Sequence, residues 1–436
     1  MRRVLGRGER HVSPAIPPIF GATNLPTGLI DIGAVADAGI DSRAETPASR
    51  AMKKFDAIES LRGYMAWWVV IGHAIQVAGV EKLIPYRLVS LLLHGDCAVQ
   101  VFMIISGFVI THLLLSRDEP YGQYVSRRFF RLFPLYVAMI VISILSRHVY
   151  ADVFGNNPWI TDPQMRLDRL AAEENNWLAH AGLHLMLLHG VLPDTTLMFA
   201  SSTFLAPAWS ISLEWQFYLI APLMVAAMAG TRHRWVIPML VVASVPVLAG
   251  DLGDWRYQSF LLLTLPFFML GIISRIALDG RPSWLAIGST VVATGIYVAL
   301  TPPGEIVWAG LVLAIWAVSL LAAVLENREI SNGPLRAALS LLYLNPIAKS
   351  LGQISYSTYL CHIPIFTLVI GAGVSTFGPS HSTFIASTIV SMLLAIPASF
   401  ALHRFIEMPG QKLRPGRSTR PRQESLSCTP QSADRA

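Results

Sequence analysis

The sequence predicts an all-α, polytopic membrane protein with about ten transmembrane helices and both termini on the cytosolic side. Three observations carry that prediction. First, 53% of the 436 residues are hydrophobic and 14% charged, with a mean hydropathy of +0.51, whereas soluble globular proteins carry about 25% charged residues. Second, apolar runs long enough to span about 30 Å of hydrocarbon recur along most of the chain. Third, the arginines between those runs are shared unequally between the two sides. A net charge of +6 and a pI near 9.3 could suggest nucleic acid. The basic residues stand scattered between apolar runs, however, which fits loop asymmetry in a bilayer and excludes a nucleic-acid partner from the expectation.

Residues 1–54 hold Pro, Gly, Ala, Arg and Asp without sustained periodicity and without the apolar core of a secretory signal. They read as a disordered cytosolic tail. Met52, followed by Lys53 and Lys54, is a natural alternative start, which N-terminal sequencing of the expressed protein would settle. The membrane part is expected over 55–412, with runs near 60–80, 96–116, 132–149, 208–229, 235–250, 258–278, 284–301, 304–325, 353–375 and 382–403. The run 180–192, HAGLHLMLLHGVL, is too short and too rich in histidine to span and reads as interfacial or re-entrant. Residues 413–436 form a second disordered cytosolic tail.

With the N-terminus inside, the inner connections hold Arg117, Arg127, Arg128, Arg131, Arg232, Arg234, Arg275, Arg281, Arg328, Arg336 and Lys349. The outer ones hold fewer cations, Arg166 and Arg169 among them, spread over more residues. Residues 150–207 lie outside in this reading. They are too long for a simple connector, and suit covering or presenting an extracytoplasmic substrate. Three cysteines, Cys97, Cys361 and Cys428, offer neither a disulfide framework nor metal-ligand spacing.

Five stretches carry chemistry. In FDAIESLRGYMAWWVVIGHAIQVA, 55–78, Arg62 and His73 are eleven residues apart, so they lie within about 20° of one helix face and about 16 Å apart along it. Ionisable groups on one side of a spanning helix point to function. The plainer reading is a snorkelling Arg62 and a His73 that bonds a neighbouring helix. In RRFFRLFP, 127–134, Arg127, Arg128 and Arg131 make one basic cluster on a helix, with Pro134 at a helix start or break. Such a cluster suits phosphates, or anchors a helix on the positive-inside face. In WSISLEWQFYLIAPL, 209–223, Glu214 enters the membrane among Ser210, Ser212, Gln216 and Tyr218, where a carboxylate is costly without a cation or substrate. In ISYSTYLCHIP, 354–364, His362 lies about 14 Å into its span behind Ser355, Tyr356, Ser357 and Tyr359. In HRFIEMPG, 403–410, Glu407 neutralises a nearby arginine or caps the last span. His180 and His184 have i, i+4 spacing but no evident third ligand, so no metal is expected. His94, His112 and His189 suggest no partner, and no nucleotide-binding or haem motif is present.

Together these stretches resemble acyltransferase family 3, the integral-membrane O-acyltransferases of exopolysaccharide and O-antigen (lipopolysaccharide) modification. The resemblance runs from Phe55 to Lys412 and is carried by Leu61–Gly63 with His73, by SGF at 106–108, and by Arg128 and Arg131 before Pro134. It continues in the WSxxxE ending at Glu214, the SYxxYLxH ending at His362, and Glu407 with Pro409. Family members often carry an acid where this chain has Gln100, and another polar residue where it has Trp215. Many also carry a soluble SGNH-type domain after the last span. Here a short Arg-, Pro- and Ser-rich stretch follows, so an acyl relay to such a domain would need a partner protein.

The resemblance implies transfer of an acyl group, usually acetyl, from cytosolic acyl-CoA (acetyl-CoA) to a glycan hydroxyl at the bacterial inner membrane, without a metal. It implies phosphate binding by Arg127, Arg128 and Arg131, and His73 as general base or transient acyl carrier. Glu214 and His362 complete the expected catalytic set. Arg62 is left between oxyanion stabilisation, pairing with Glu214 and phosphate binding. The acceptor is a cell-surface glycan, a lipid-linked saccharide, peptidoglycan or a secreted small molecule. A transporter or flippase would also need buried Arg and His, but predicts inverted repeats that are not visible.

Overall fold

Apolar runs bounded by Gly, Pro and polar residues fold as helices along the chain, with no strand among the described residues. The computed structural model describes residues 55–413, apart from 118, 156, 231–232, 281 and 327–332. Arg232, Arg281, Arg328 and the tails 1–54 and 414–436 therefore lie outside the described residues.

Helix α1, Asp56–Ala78, begins with Asp56 and Glu59 in its first turn, where the helix dipole favours acids. Its N-terminal amides at Asp56 and Ala57 donate to the Glu326 carboxylate at 3.1 and 3.2 Å. Lys349 pairs with Asp56 at 2.5 Å. The helix stops at Gly79, in the left-handed region at φ 65°. Next come α2, Tyr86–Leu93, and α3, Gly95–Ser116, then α4, Tyr121–Leu145. Three short helices follow: α5, Arg147–Gly155, α6, Pro163–Asn175, and α7, Trp177–Leu185. The chain returns through a 3-10 turn, Ala206–Ala208, into α8, Trp209–Met228. Helices α9, Val236–Leu248, α10, Leu265–Asp279, α11, Trp284–Leu300, and α12, Ile306–Glu326, come next. The short α13, Pro334–Tyr343, and α14, Pro346–Gln353, lead to α15, Ser355–Phe377, and α16, His381–Leu402. A π-helical turn, His403–Glu407, joins α16 to α17, Met408–Lys412.

Six of these segments are long and apolar enough to cross a membrane: α3, α4, α8 with its lead-in turn, α12, α15 and the continuous α16–α17. The chain is a multi-pass membrane protein. Helix α1 is as long as these but is diluted by Arg62 and His73, while α9, α10 and α11 are shorter, at 13, 15 and 17 residues. In α3, 78% of the apolar window is buried, against 28% in α12 and in α16–α17, so α3 is central and the others face outward.

Close crossings between helices depend on missing side chains. A Cβ on Gly63 would meet the Gly352 nitrogen at 2.7 Å, and one on Gly352 would meet the Glu59 carbonyl oxygen at 2.1 Å, fixing α1 against α14. Gly107 and Gly271 do the same for α3 and α10, where a Cβ on Gly271 would lie 2.0 Å from the Ile104 carbonyl oxygen. Small residues that let backbones meet are a common way of packing membrane helices.

One sequence expectation is revised. Helix α4 begins at Tyr121 rather than near 132, and it runs through Pro134 without ending there. The Pro134 ring packs on Gly410, where a Cβ would come within 2.7 Å of the proline Cγ and 3.6 Å of the Phe130 carbonyl oxygen. The arginine cluster thus lies inside a helix. The segment after α4, expected to be more than a connector, folds in part as short helices. Asp162 caps α6 by accepting from the Met165 amide at 3.2 Å, and α6 buries Arg166, Arg169, Ala172 and Glu173.

Because backbone lies directly opposite, Gly271→Val should cost about 1–3 kcal/mol through overpacking. Thermal unfolding of the purified protein in detergent should show this as a lowered midpoint, while Gly288→Val, with open space around it, should show little change.

Candidate active site

Two cavities meet at one tyrosine. The first is lined by Arg62 of α1, Ser106 of α3, Arg128 and Arg131 of α4, Glu214 and Tyr218 of α8, and Tyr356 and Tyr359 of α15, and has about 640 Å³ of empty space. The Tyr218 hydroxyl donates to the Glu214 carboxylate, and the Ser106 hydroxyl approaches it at 3.4 Å. Arg62 reaches Glu59, one turn back on α1, at 3.9 Å. The Arg128 guanidinium lies 5.7 Å from the centre of the Tyr218 ring, and its Nε is buried without an acceptor. Among the described residues, neither Arg128 nor Arg131 has a carboxylate within ion-pair distance. Half-buried guanidiniums without a carboxylate partner suit an anionic ligand.

The second cavity, with about 1020 Å³ of empty space, is lined by His73, Asp96, Arg166, Arg169, Trp209, Tyr257 and, again, Tyr359. Tyr359 is fixed from two sides: its hydroxyl donates to the Pro207 carbonyl at 3.0 Å and accepts from Ser210 at 2.9 Å. Phe102 packs edge-on against its ring. Behind His73 lies His362, fully buried, with its Nε2 3.3 Å from the His73 Nδ1. His362 Nδ1 sits 3.3 Å from the Thr358 carbonyl and His73 Nδ1 3.0 Å from the Val69 carbonyl. Since a carbonyl only accepts, both Nδ1 atoms carry the proton. The His73 Nε2 is then an unprotonated lone pair, the form a general base requires.

A family model described as an acyltransferase domain, that of acyltransferase family 3, matches residues 55–404. The chain belongs to acyltransferase family 3. It is similar to the acyltransferase MdmB of Streptomyces mycarofaciens, 24% identical over 82% of this chain and 92% of that protein. It is also similar to the O-acetyltransferase OatA of Staphylococcus aureus (strain NCTC 8325 / PS 47), 24% identical over 78% of this chain and 56% of that protein. With the peptidoglycan O-acetyltransferase OatA of Listeria monocytogenes it is 29% identical over 34% of this chain and 22% of that protein. The chain therefore spans nearly all of the first relative but little more than half, or less, of the two OatA proteins. No solved structure matches. Family membership makes the protein a membrane O-acyltransferase and sets aside the transporter reading.

Of the residues singled out in the sequence, Arg62, Arg128, Arg131 and Glu214 share the first cavity, and His73 lines the second with His362 directly behind it. Arg127 does not line either cavity and pairs with Glu119. Glu407 is buried in the π-helical turn, where it accepts from Ser357 at 2.9 Å and meets His403 Nδ1 at 2.9 Å, tying the last helix to α15. Gln100 bonds Gln258 and Tyr297, both at 3.1 Å. His180 and His184 are joined through the Thr203 hydroxyl, and His184 stacks on His189 at 3.9 Å. Among the described residues no group of three or more His, Cys, Asp or Glu could hold a metal. His94 stacks on Trp308 at 3.8 Å, and the Arg275 Nε donates to His112 at 3.0 Å.

Sequence reasoning named Tyr359 only as part of the polar run leading to His362, and it gave the pair Arg166 and Arg169 no role. The arginines were counted as loop charges, although their i, i+3 spacing in RLDR puts both on one helix face. Tyr359 stands one turn before His362, a spacing that places both on the same side of α15.

If Tyr359 is the wall between the cavities, its removal should open one to the other. In a variant lacking Cys97, Cys361 and Cys428, a cysteine replacing Ser106 should react with a membrane-impermeant thiol reagent from one side of the membrane only. Adding Tyr359→Ala should allow labelling from both sides.

Proposed function

We propose that the protein transfers an acyl group, acetyl foremost, from a cytosolic acyl-CoA to a hydroxyl of a cell-surface or exported glycan, free or lipid-linked, at the bacterial inner membrane. In this reading both termini face the cytosol and about ten helices cross the bilayer, α1, α9, α10 and α11 joining the six long apolar ones. The first cavity then opens towards the cytosol and the second towards the outside. One observation carries the proposal: Tyr359 is common to a cavity with unpaired arginines and a cavity with an unprotonated imidazole nitrogen. The O-acetyl and peptidoglycan activities in the OatA names support acetyl as the group and a glycan as the acceptor.

Arg128 and Arg131 bind the phosphates of the acyl-CoA, with Arg62 beside them, because guanidiniums without carboxylate partners match phosphate oxygens in charge and geometry. The thioester end extends past Tyr359 towards His73. There the acceptor hydroxyl loses its proton to the His73 Nε2 as its oxygen attacks the thioester carbonyl carbon. The carbon–oxygen bond forms, the carbon–sulfur bond breaks, and the departing thiolate takes the proton from the imidazolium. The products are an ester and free CoA thiol. Glu214, held by Tyr218 and Ser106, completes the catalytic set from the wall of the same cavity.

Incubating membranes with labelled acetyl-CoA and following label into polysaccharide tests the reaction itself. His73→Ala should lower transfer by about 10²–10⁴-fold, and a folded variant working at wild-type rate would rule out the base assignment. Arg128→Gln should raise KM for acetyl-CoA about tenfold or more, the loss of one charge-assisted contact, with acceptor KM unchanged. Arg127→Gln should have a smaller effect, since its partner is Glu119. Equal changes in donor and acceptor KM for Arg128→Gln would mean a folding role instead.

A further inference from the structure

The second cavity contains a feature that the transfer chemistry does not use. Arg166 and Arg169 of α6 both line it, at 9% and 6% exposure. Arg166 lies over the Phe154 ring at 5.2 Å, and its Nε is buried without an acceptor. Arg169 lies over the Tyr150 ring at 5.2 Å and donates to the Tyr150 hydroxyl. Neither has a carboxylate within ion-pair distance among the described residues. The acid one turn on, Glu173, is turned to the Phe204 amide at 2.9 Å and to Arg147 at 4.0 Å. Burial raises the Glu173 carboxyl above its ordinary range, which weakens it further as a counter-charge. Asp96, the acid that lines the cavity, is exposed at its rim.

We infer that the acceptor is an acidic saccharide, with a carboxylate or phosphate near the acylated hydroxyl that Arg166 and Arg169 bind beside His73. Two guanidiniums held rigid by aromatic faces, with donors left over, form a receptor for a small oxyanion. A purely structural pair would have been closed by a carboxylate, since leaving a buried donor unmet is costly. The saccharide part follows from two aromatic residues that line the same cavity. Trp209 and Tyr257 stack there at 5.6 Å and 15°. They continue into a neighbouring cleft lined by Gln258, Glu305 and Trp308. Flat aromatic faces beside amide and carboxylate groups suit the apolar faces and hydroxyls of pyranose rings. This assignment rests on the second cavity being the acceptor side.

The test uses the full chain in nanodiscs of phosphatidylcholine, with binding read by intrinsic tryptophan fluorescence and transfer read by label from acetyl-CoA. The probes are methyl glucoside, methyl glucuronoside and N-acetylglucosamine 1-phosphate. The acidic sugars should bind about tenfold or more tightly than the neutral one. Arg166→Gln and Arg169→Gln should each bring that ratio close to one, Arg166→Lys should keep part of it, and Arg87→Gln, an exposed cation elsewhere, should leave it unchanged. Equal binding of neutral and acidic sugars, or a ratio unaltered in both glutamine variants, overturns the inference. If phosphatidylglycerol in the nanodisc shifts the tryptophan signal in an Arg166- and Arg169-dependent way while no acidic sugar binds in phosphatidylcholine, the site takes a lipid headgroup and the saccharide assignment is wrong. Label transferred to methyl glucoside as readily as to the acidic sugars rejects the inference but leaves the acyltransfer reading standing. Acidic sugars that bind through the arginines but take no label while methyl glucoside does overturn the inference alone, and label on no sugar at all counts against the acyltransfer reading.

Discussion

An arginine or histidine within a membrane-length helix persists only when it faces protein or a polar cavity. That constraint organises this molecule around α1. Arg62 and His73 share one side of the helix, so a rotation of α1 would bring both towards lipid. The rotation is fixed at the start of the helix, where Glu326 accepts from its first amides and Lys349 pairs with Asp56. It is fixed again where Gly63 and Gly352 let backbones touch. The residues that hold α1 are thus far from the imidazole in sequence yet decide where it points.

The same constraint accounts for two cavities instead of one channel. A polar path through the bundle would leak protons and ions, and the arginine-lined cavity and the histidine-lined cavity are kept apart. Tyr359 provides the separation at little cost, because its hydroxyl is satisfied by Pro207 and Ser210 and its ring lies against Phe102. Pro207 lies in the turn that leads into α8, and Ser210 lies in α8 itself, the helix that also carries Glu214. The wall and the carboxylate are therefore positioned by one element.

Much of this was legible in the sequence because it depends on helical periodicity. The eleven-residue spacing of Arg62 and His73, the i, i+3 spacing of Arg128 and Arg131, and the polar run towards His362 all follow from 100° per residue. What was not legible depends on tertiary partners. Pro134 reads as a helix boundary, but Gly410 accepts its ring and the helix continues. Arg127 cannot be distinguished from Arg128 until Glu119 claims it. Arg166 and Arg169 read as solvated charges because nothing local reveals that Phe154 and Tyr150 bury them.

His362 illustrates how a buried residue can matter without touching a substrate. It is sealed from the cavity by His73, so it cannot exchange protons with a ligand there directly. Its own Nδ1–H is committed to Thr358, which leaves its Nε2 as an acceptor pointed at His73. Together with Val69 it holds the His73 proton on Nδ1, and the opposite nitrogen is left bare. A non-accepting group at 362 would weaken that preference, and the proton could settle on the opposite nitrogen, removing its bare lone pair. His362 thus positions His73, and the order of the two histidines, one lining the cavity and one behind it, sets which nitrogen is left bare.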